Sequence, residues 1–315
     1  MSRVDSPGLL LLTLGAMISL GLSSASFGIV IGAVSRLVSD QHRSMYVGVV
    51  MMGGSAGFVI LVPTGQVLMN ALGWRDSLMG LAMIALAMPI LALLLTGRAE
   101  DRDGARANPL RAIQGATREP RYWLLFWGFF VCGFHITFIA THLPAYLQDR
   151  GLAPELGALA LSLIGVSNIA GSFLAGWAGG RFSKRVGLST IYFARAGVLL
   201  TFILLPLSPF SVALFASTIG LLWLSTVPLT TGLLGQMYGV RYLNTLFGVV
   251  FLGHQIGGFL GVWAGGKLFD LLGSYDLVWW ISVGLGVFAG LIHLPIDERT
   301  LSDVDLPASV ARESA

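Results

Sequence analysis

The chain has 315 residues, 55% of them apolar and only 11% charged, with a formal net charge of +3. That charge content is under half of what a soluble globular domain carries, and with the apolar excess it excludes a disordered chain, a disulfide scaffold and a basic nucleic-acid-binding domain. The single cysteine, Cys132, lies in an apolar run and offers neither a disulfide nor a metal cluster.

In chain order, 30 residues free of Asp, Glu, Lys and Arg lie between Asp5 and Arg36, 31 between Arg43 and Arg75, and 21 between Asp76 and Arg98. A further 25 lie between Glu155 and Arg181 and 20 between Asp276 and Asp297, and a long uncharged run separates Arg195 from Arg241. A helix needs roughly 20 apolar residues to cross hydrocarbon, and lipid makes every backbone amide pair within its own segment. The fold class is therefore all-α: a polytopic membrane protein with about nine transmembrane helices. The expected spans are 8–37, 44–71, 75–97, 121–147, 153–180, 187–206, 209–238, 243–272 and 276–296. The first run is too long for the apolar region of a cleavable signal peptide.

One polar linker, 98–120, divides three spans in 1–97 from six in 121–296, and a polar tail follows at 297–315. Lys and Arg set orientation. With the linker inside, the inner set is Arg36, Arg43, Arg98, Arg102, Arg106, Arg111, Arg118, Arg121, Arg181, Lys184, Arg185, Arg241, Arg299 and Arg312. The outer set is Arg3, Arg75, Arg150 and Lys267, and Arg195 falls within a span. This bias predicts a cytoplasmic linker and C-terminus in a bacterial inner membrane. Tyr122, Trp123 and Trp127 open the fourth span, and Tyr275, Trp279 and Trp280 the ninth, as interfacial aromatic belts do.

An internal repeat decides the architecture. At an offset of 200, Gly48-Val49-Val50 falls on Gly248-Val249-Val250, and Gly53, Gly57, Val62, Gly65 and Leu68 on Gly253, Gly257, Val262, Gly265 and Leu268. Leu72, Gly73 and Asp76 then fall on Leu272, Gly273 and Asp276, giving 11 identities without a gap. Spans one to three thus match spans seven to nine, as parallel repeats of a two-half transporter do. In this register spans four to six have their counterparts before Met1. The expectation is a two-bundle transporter fold missing part of the N-terminal bundle, through truncation or as a true nine-span protein.

The motifs resemble the major facilitator superfamily along nearly all of 8–296. Gly73-Trp74-Arg75 is similar to its turn between the fifth and sixth helices, and the run Gly265 to Tyr275 to the end of its eleventh helix. The segment from Gly176 through Arg181, Lys184 and Arg185 resembles its loop signature and gating loop, with Gly180 in place of the usual Asp and Ser183 in place of a Gly. The stretch Phe134-His135-Ile136-Thr137-Phe138 to Leu143-Pro144-Ala145-Tyr146-Leu147 is similar to the bacterial monocarboxylate or oxalate/formate-like branch. The resemblance implies a secondary transporter working by alternating access, with the first span here as the family's fourth helix.

Polar groups inside spans are costly and mark sites by default. His135 and His142 lie seven residues apart on one stripe of the fourth span, about 10 Å along the axis, too far for one metal site. His254 and Gln255 sit midway along the eighth span, where the repeat has Gly54 and Ser55. Asn168 is a further orienting group. Each of these residues is a candidate substrate ligand or a helix-to-helix hydrogen bond. Arg195 either forks onto a carboxylate or snorkels to the headgroups. Gly253, Gly257, Gly261 and Gly265, with Gly53 and Gly57, form small-residue stripes for close helix approach. No nucleophile–base pair, phosphate loop or cofactor motif stands out, so no enzyme and no cofactor are expected. The functional expectation is a carrier of a small organic anion such as a monocarboxylate, coupled to protons. The alternatives are a proton-driven exporter of hydrophobic compounds and a non-transporting, self-associating membrane protein.

Overall fold

The computed structural model describes residues 40–93, 109–239 and 242–300 and, ahead of them, short stretches that include a π-helical segment at Leu12–Ile18. Most of the expected first span, the first half of the linker and most of the tail lie outside the described residues. Among the described residues the chain is helical and has no strand.

Helix α1 (Asp40–Ala85) is followed closely by α2 (Ala87–Leu93). From Met45 to Leu91 this largely apolar stretch runs for 47 residues, about 70 Å at 1.5 Å per residue and more than twice the hydrocarbon thickness. It is two helices joined at Gly73, whose φ of 74° and ψ of 170° are not helical. The expected boundary between the second and third spans, 71–75, falls on this kink. The repeat partner Gly273 also has positive φ, 66°, and ends its helix by donating its N–H to the Phe269 carbonyl. Only glycine takes this region freely, which is the physical reason both repeats carry it at the same register.

The short α3 (Pro109–Ala116) precedes α4 (Pro120–Asp149), α5 (Pro154–Gly179), α6 (Lys184–Leu204), α7 (Pro209–Leu222), α8 (Thr226–Tyr238), α9 (Leu243–Leu272) and α10 (Asp276–His293). Pro120, Pro154 and Pro209 open three helices, where a missing N–H costs nothing. Ser183 caps α6, and Ser208 and Ser211 form a reciprocal capping box on α7. Among the described residues, seven helical stretches are long and apolar enough to cross a membrane, against nine expected spans. Most of the first expected span lies outside the described residues, and the second and third count as one stretch.

The span expected over 209–238 is broken at Trp223–Ser225. Pro228 supplies the reason. Lacking an N–H and clashing with the carbonyl four residues back, it forbids a regular helix through Leu224. The Val227 N–H bonds Leu224 O at 3.0 Å instead, a tighter turn.

Several pairs of helices touch backbone to backbone. A Cβ on Gly133 of α4 would lie 1.9 Å from His254 O of α9, and one on Gly257 only 2.0 Å from Phe130 O. A Cβ on Gly171 of α5 would lie 1.9 Å from Leu221 O of α7. Between α6 and α10 the contact is to side chains as well, with a Cβ on Gly286 3.0 Å from that of Ala196. The stripe on α9 therefore serves close approach. Its counterpart does not among the described residues, since nothing lies within 4 Å of Gly53 or Gly57. Large apolar side chains such as Phe210, Phe259 and Leu204 are exposed on the outside, as a lipid-facing surface requires.

Candidate functional site

The two histidines of α4 share a stripe but serve different neighbours. His135 is buried, and its Nε2–H donates to Ser282 O of α10 at 2.8 Å. His142 is half-buried; its Nε2–H donates to Val262 O of α9 at 3.0 Å, and its ring fills the space above Gly265. The Tyr275 ring lies nearby, tilted and 5.4 Å from the His142 ring. Burial, then the carboxylates of Asp149 and Asp270, pushes the Tyr275 phenol above its ordinary pKa.

His254 is half-buried and Gln255 exposed. The imidazole lies parallel to Phe251 at 5.2 Å and against Phe129 at 5.1 Å, with Nδ1 3.4 Å from Gln255 Oε1. Of the candidate histidines, His254 alone engages no backbone carbonyl among the described residues.

Arg195 does not reach the headgroups. It is 1% exposed, and its Nε and Nη2 both donate to Leu222 O, with Nη2 also bonding Trp223 O. These are carbonyls freed by the break between α7 and α8. The guanidinium also lies 5.3 Å from the Tyr192 ring, and its Nη1 is buried without a partner. No carboxylate among the described residues pairs with it.

Asn168 is equally buried. Its Nδ2 donates to Ser55 Oγ of α1 at 2.6 Å, while Oδ1 accepts from Ser172 Oγ at 3.1 Å and from the Leu224 N–H at 2.9 Å. Arg195 and Asn168, 27 positions apart in sequence, thus converge on one break from two helices. Just beyond it, Thr226 Oγ1 lies 3.2 Å from Cys132 Sγ. The break itself carried a legible signal in Pro228; its role as meeting point did not.

The loop after α5 forms a second polar cluster. Gly176 is buried beside Gly48 of α1. Arg181 stacks over Trp177 at 4.3 Å. Lys184 Nζ donates to Gln236 Oε1 at 2.8 Å, and Arg185 Nη1 to Leu294 O and Ile296 O. Glu298, which motif reasoning missed, accepts from Ser183 Oγ at 2.7 Å and from the Arg185 N–H at 2.6 Å. A carboxylate at the N-terminus of α6 meets unpaired N–H groups and the positive end of the helix dipole. Arg121 clasps the same segment through Asp297 O and Arg299 O.

The sequence model described as Major Facilitator Superfamily matches residues 3–262. The chain belongs to the major facilitator superfamily. It is an integral membrane protein with that superfamily's helical fold. Among superfamily relatives, a Bacillus subtilis (strain 168) protein described as an uncharacterized MFS-type transporter, YcxA, is 28% identical over 263 residues, 80% of this chain and 63% of the relative. Monocarboxylate transporter 13 of Bos taurus is 25% identical over 88% of this chain and 67% of its own length. Monocarboxylate transporter 11 of Homo sapiens is 26% identical, over 85% and 59%. The chain therefore spans roughly two thirds or less of these relatives. Among solved structures, the superfamily transporter FucP in its outward conformation superposes with a TM-score of 0.63 at 18% identity, covering 84% of this chain and 71% of that one.

Proposed function

We propose that the chain acts in secondary transport of a small organic anion, a monocarboxylate, together with protons, by alternating access. Residues 1–97 form part of the N-terminal bundle in this reading, 98–120 a cytoplasmic linker, 121–296 the C-terminal bundle and 297–315 a cytoplasmic tail, in a bacterial inner membrane.

The observation that carries the reading is the charge inside the bundle. Arg195 is buried with one nitrogen unpartnered and no acid beside it. The acids on the described membrane helices lie near helix ends or at the Gly73 kink, as Asp76, Asp149, Glu155, Asp270 and Asp276 do. A net positive interior disfavours a cationic solute and favours an anion. The printed names of the mammalian relatives point to monocarboxylates as the first class to test. His254, half-buried between Phe129 and Phe251 and bonded to no backbone carbonyl among the described residues, is the proton-carrying candidate. Arg195 and Asn168 support the site by shaping the broken span rather than by lying at an open surface.

The test is uptake of labelled lactate and pyruvate into liposomes holding the purified chain, with and without an inward proton gradient. Saturable uptake that the gradient accelerates is expected. Uptake no faster than into empty liposomes, with efflux of hydrophobic dyes from the same vesicles, would replace the reading with that of an exporter.

A further inference from the structure

We propose that Asn168 couples the seam between α1 and α5 to the break between α7 and α8, so that parting α1 from α5 unlocks the break. The break takes backbone N–H and carbonyl groups out of the regular helical ladder. Trp223 N–H turns back to Gly220 O at 3.0 Å, and the Leu224 N–H is satisfied by Asn168 Oδ1. The carbonyls of Leu222 and Trp223 are held by Arg195. The two anchors differ in kind. Arg195 sits on α6, within the six spans of 120–293, and its anchor moves with them.

Asn168 also bonds Ser55 on α1, across the broadest seam that joins 120–293 to the segment before the linker; α1 packs against α8 as well. Its carbonyl oxygen has both lone pairs engaged and its amide has one donor on Ser55, so its orientation depends on that partner. Ser55 is itself fixed by donating to Met51 O at 3.0 Å. If α1 withdraws, Asn168 is left with an unpaired buried amide donor and turns to find another acceptor, and the Leu224 N–H loses its own. The inference rests on the two-bundle reading of the function, though not on the identity of the solute.

The chain carries its own reporter. Cys132 is the only cysteine, is fully buried, and contacts Thr226 on the first turn beyond the break. Opening of the break removes Thr226 from this thiol, so the alkylation rate rises with the open population. The experiment measures alkylation of Cys132 by N-ethylmaleimide in the full 315-residue chain in liposomes, without solute, read as a mass shift. Loss of one buried hydrogen bond corresponds to about a fivefold to tenfold faster reaction. That rise is expected for Ser55→Ala and a larger one for Asn168→Ala, which removes three hydrogen bonds, and Ser55→Thr, which keeps the hydroxyl, is expected to return the rate to that of the unaltered chain. Should Asn168→Ala fail to fold, the Ser55 pair still decides. A Ser55→Ala rate equal to that of the unaltered chain overturns the proposal, because the break is then held from within the six spans alone. Uptake failing while these rates shift would count against the solute and leave the coupling standing.

Discussion

Gly257→Ala tests whether α4 and α9 are locked by backbone contact. The added Cβ would lie 2.0 Å from Phe130 O and 2.8 Å from its carbonyl carbon, whereas ordinary contact begins at 3.4 Å. No rotamer relieves this, because the obstructing atoms are main chain. The helices must part by more than an ångström, and Gly133 and Gly261 prevent a local shift, each already close to a carbonyl of the facing helix. Overpacking costs about 1–3 kcal/mol, with backbone obstruction at the upper end. Replacing glycine by alanine in a helix returns about 1 kcal/mol. Gly266→Ala isolates that return, since nothing lies within 4 Å of Gly266 on the same helix. The two variants should therefore differ by the overpacking cost alone. Apparent melting in detergent, followed by fluorescence-detected size exclusion, should place Gly257→Ala well below the unaltered chain and Gly266→Ala at or above it. If Gly257→Ala melts with Gly266→Ala, the seam is looser than drawn and the argument fails.

Arg195→Leu strands the Leu222 and Trp223 carbonyls at about 1–3 kcal/mol each, so it should melt lower than Arg195→Lys, which keeps a donor; equal melting would remove the pinning role. Glu298→Ala frees the N-terminus of α6 at a cost of about 0.5–1 kcal/mol, and trypsin should then cut after Arg299 faster than in the unaltered chain; an unchanged digest would show the segment held by Arg121 and Arg185 alone. His254→Ala should reduce lactate uptake at unchanged membrane abundance, whereas His135→Ala, which loses the bond to Ser282 O, should reduce abundance first; normal uptake by His254→Ala removes that imidazole from the proton path. A single cysteine at 150, on a Cys132→Ala background, should react with an impermeant maleimide from outside intact cells and one at 118 should not; labelling at 118 would invert the orientation.

What the sequence made legible was whatever is written in periodicity. Uncharged runs of fixed length gave the spans, and the 200-residue offset placed Gly73 opposite Gly273, two positions that the backbone uses with positive φ. The partners of the polar residues were not legible, because a hydrogen bond from His135 to Ser282 O or from Arg195 to Leu222 O goes to a carbonyl, and carbonyls leave no mark in side-chain pattern. The same holds for Glu298. Nothing in its neighbourhood marks it as a cap for a helix that begins more than a hundred residues earlier. Pro228 announced a break, but a proline inside an apolar run reads equally as a mild kink. Only the free N–H of Leu224 and its partner on α5 distinguish the two.

The seams differ in a way that suits a two-part machine. Within 120–293 helices meet through glycines whose backbones face carbonyls at distances no side chain tolerates, at Gly133, Gly257 and Gly171. Such contacts are stiff, because interiors at native density transmit strain and do not absorb it. The seam between α1 and α5 has one glycine contact of this type, Gly48 with a Cβ position 3.0 Å from Ser172 O, while nothing lies within 4 Å of Gly53 and Gly57. Its centre is the Asn168–Ser55 hydrogen bond. Buried polar contacts between membrane helices are worth about 0.6–2 kcal/mol, enough to favour one arrangement and too little to forbid another. Motion is thus expected to divide the molecule along α1 and α5, and not through the six-span body. The residue that holds the movable seam is also the one that reaches into the broken span.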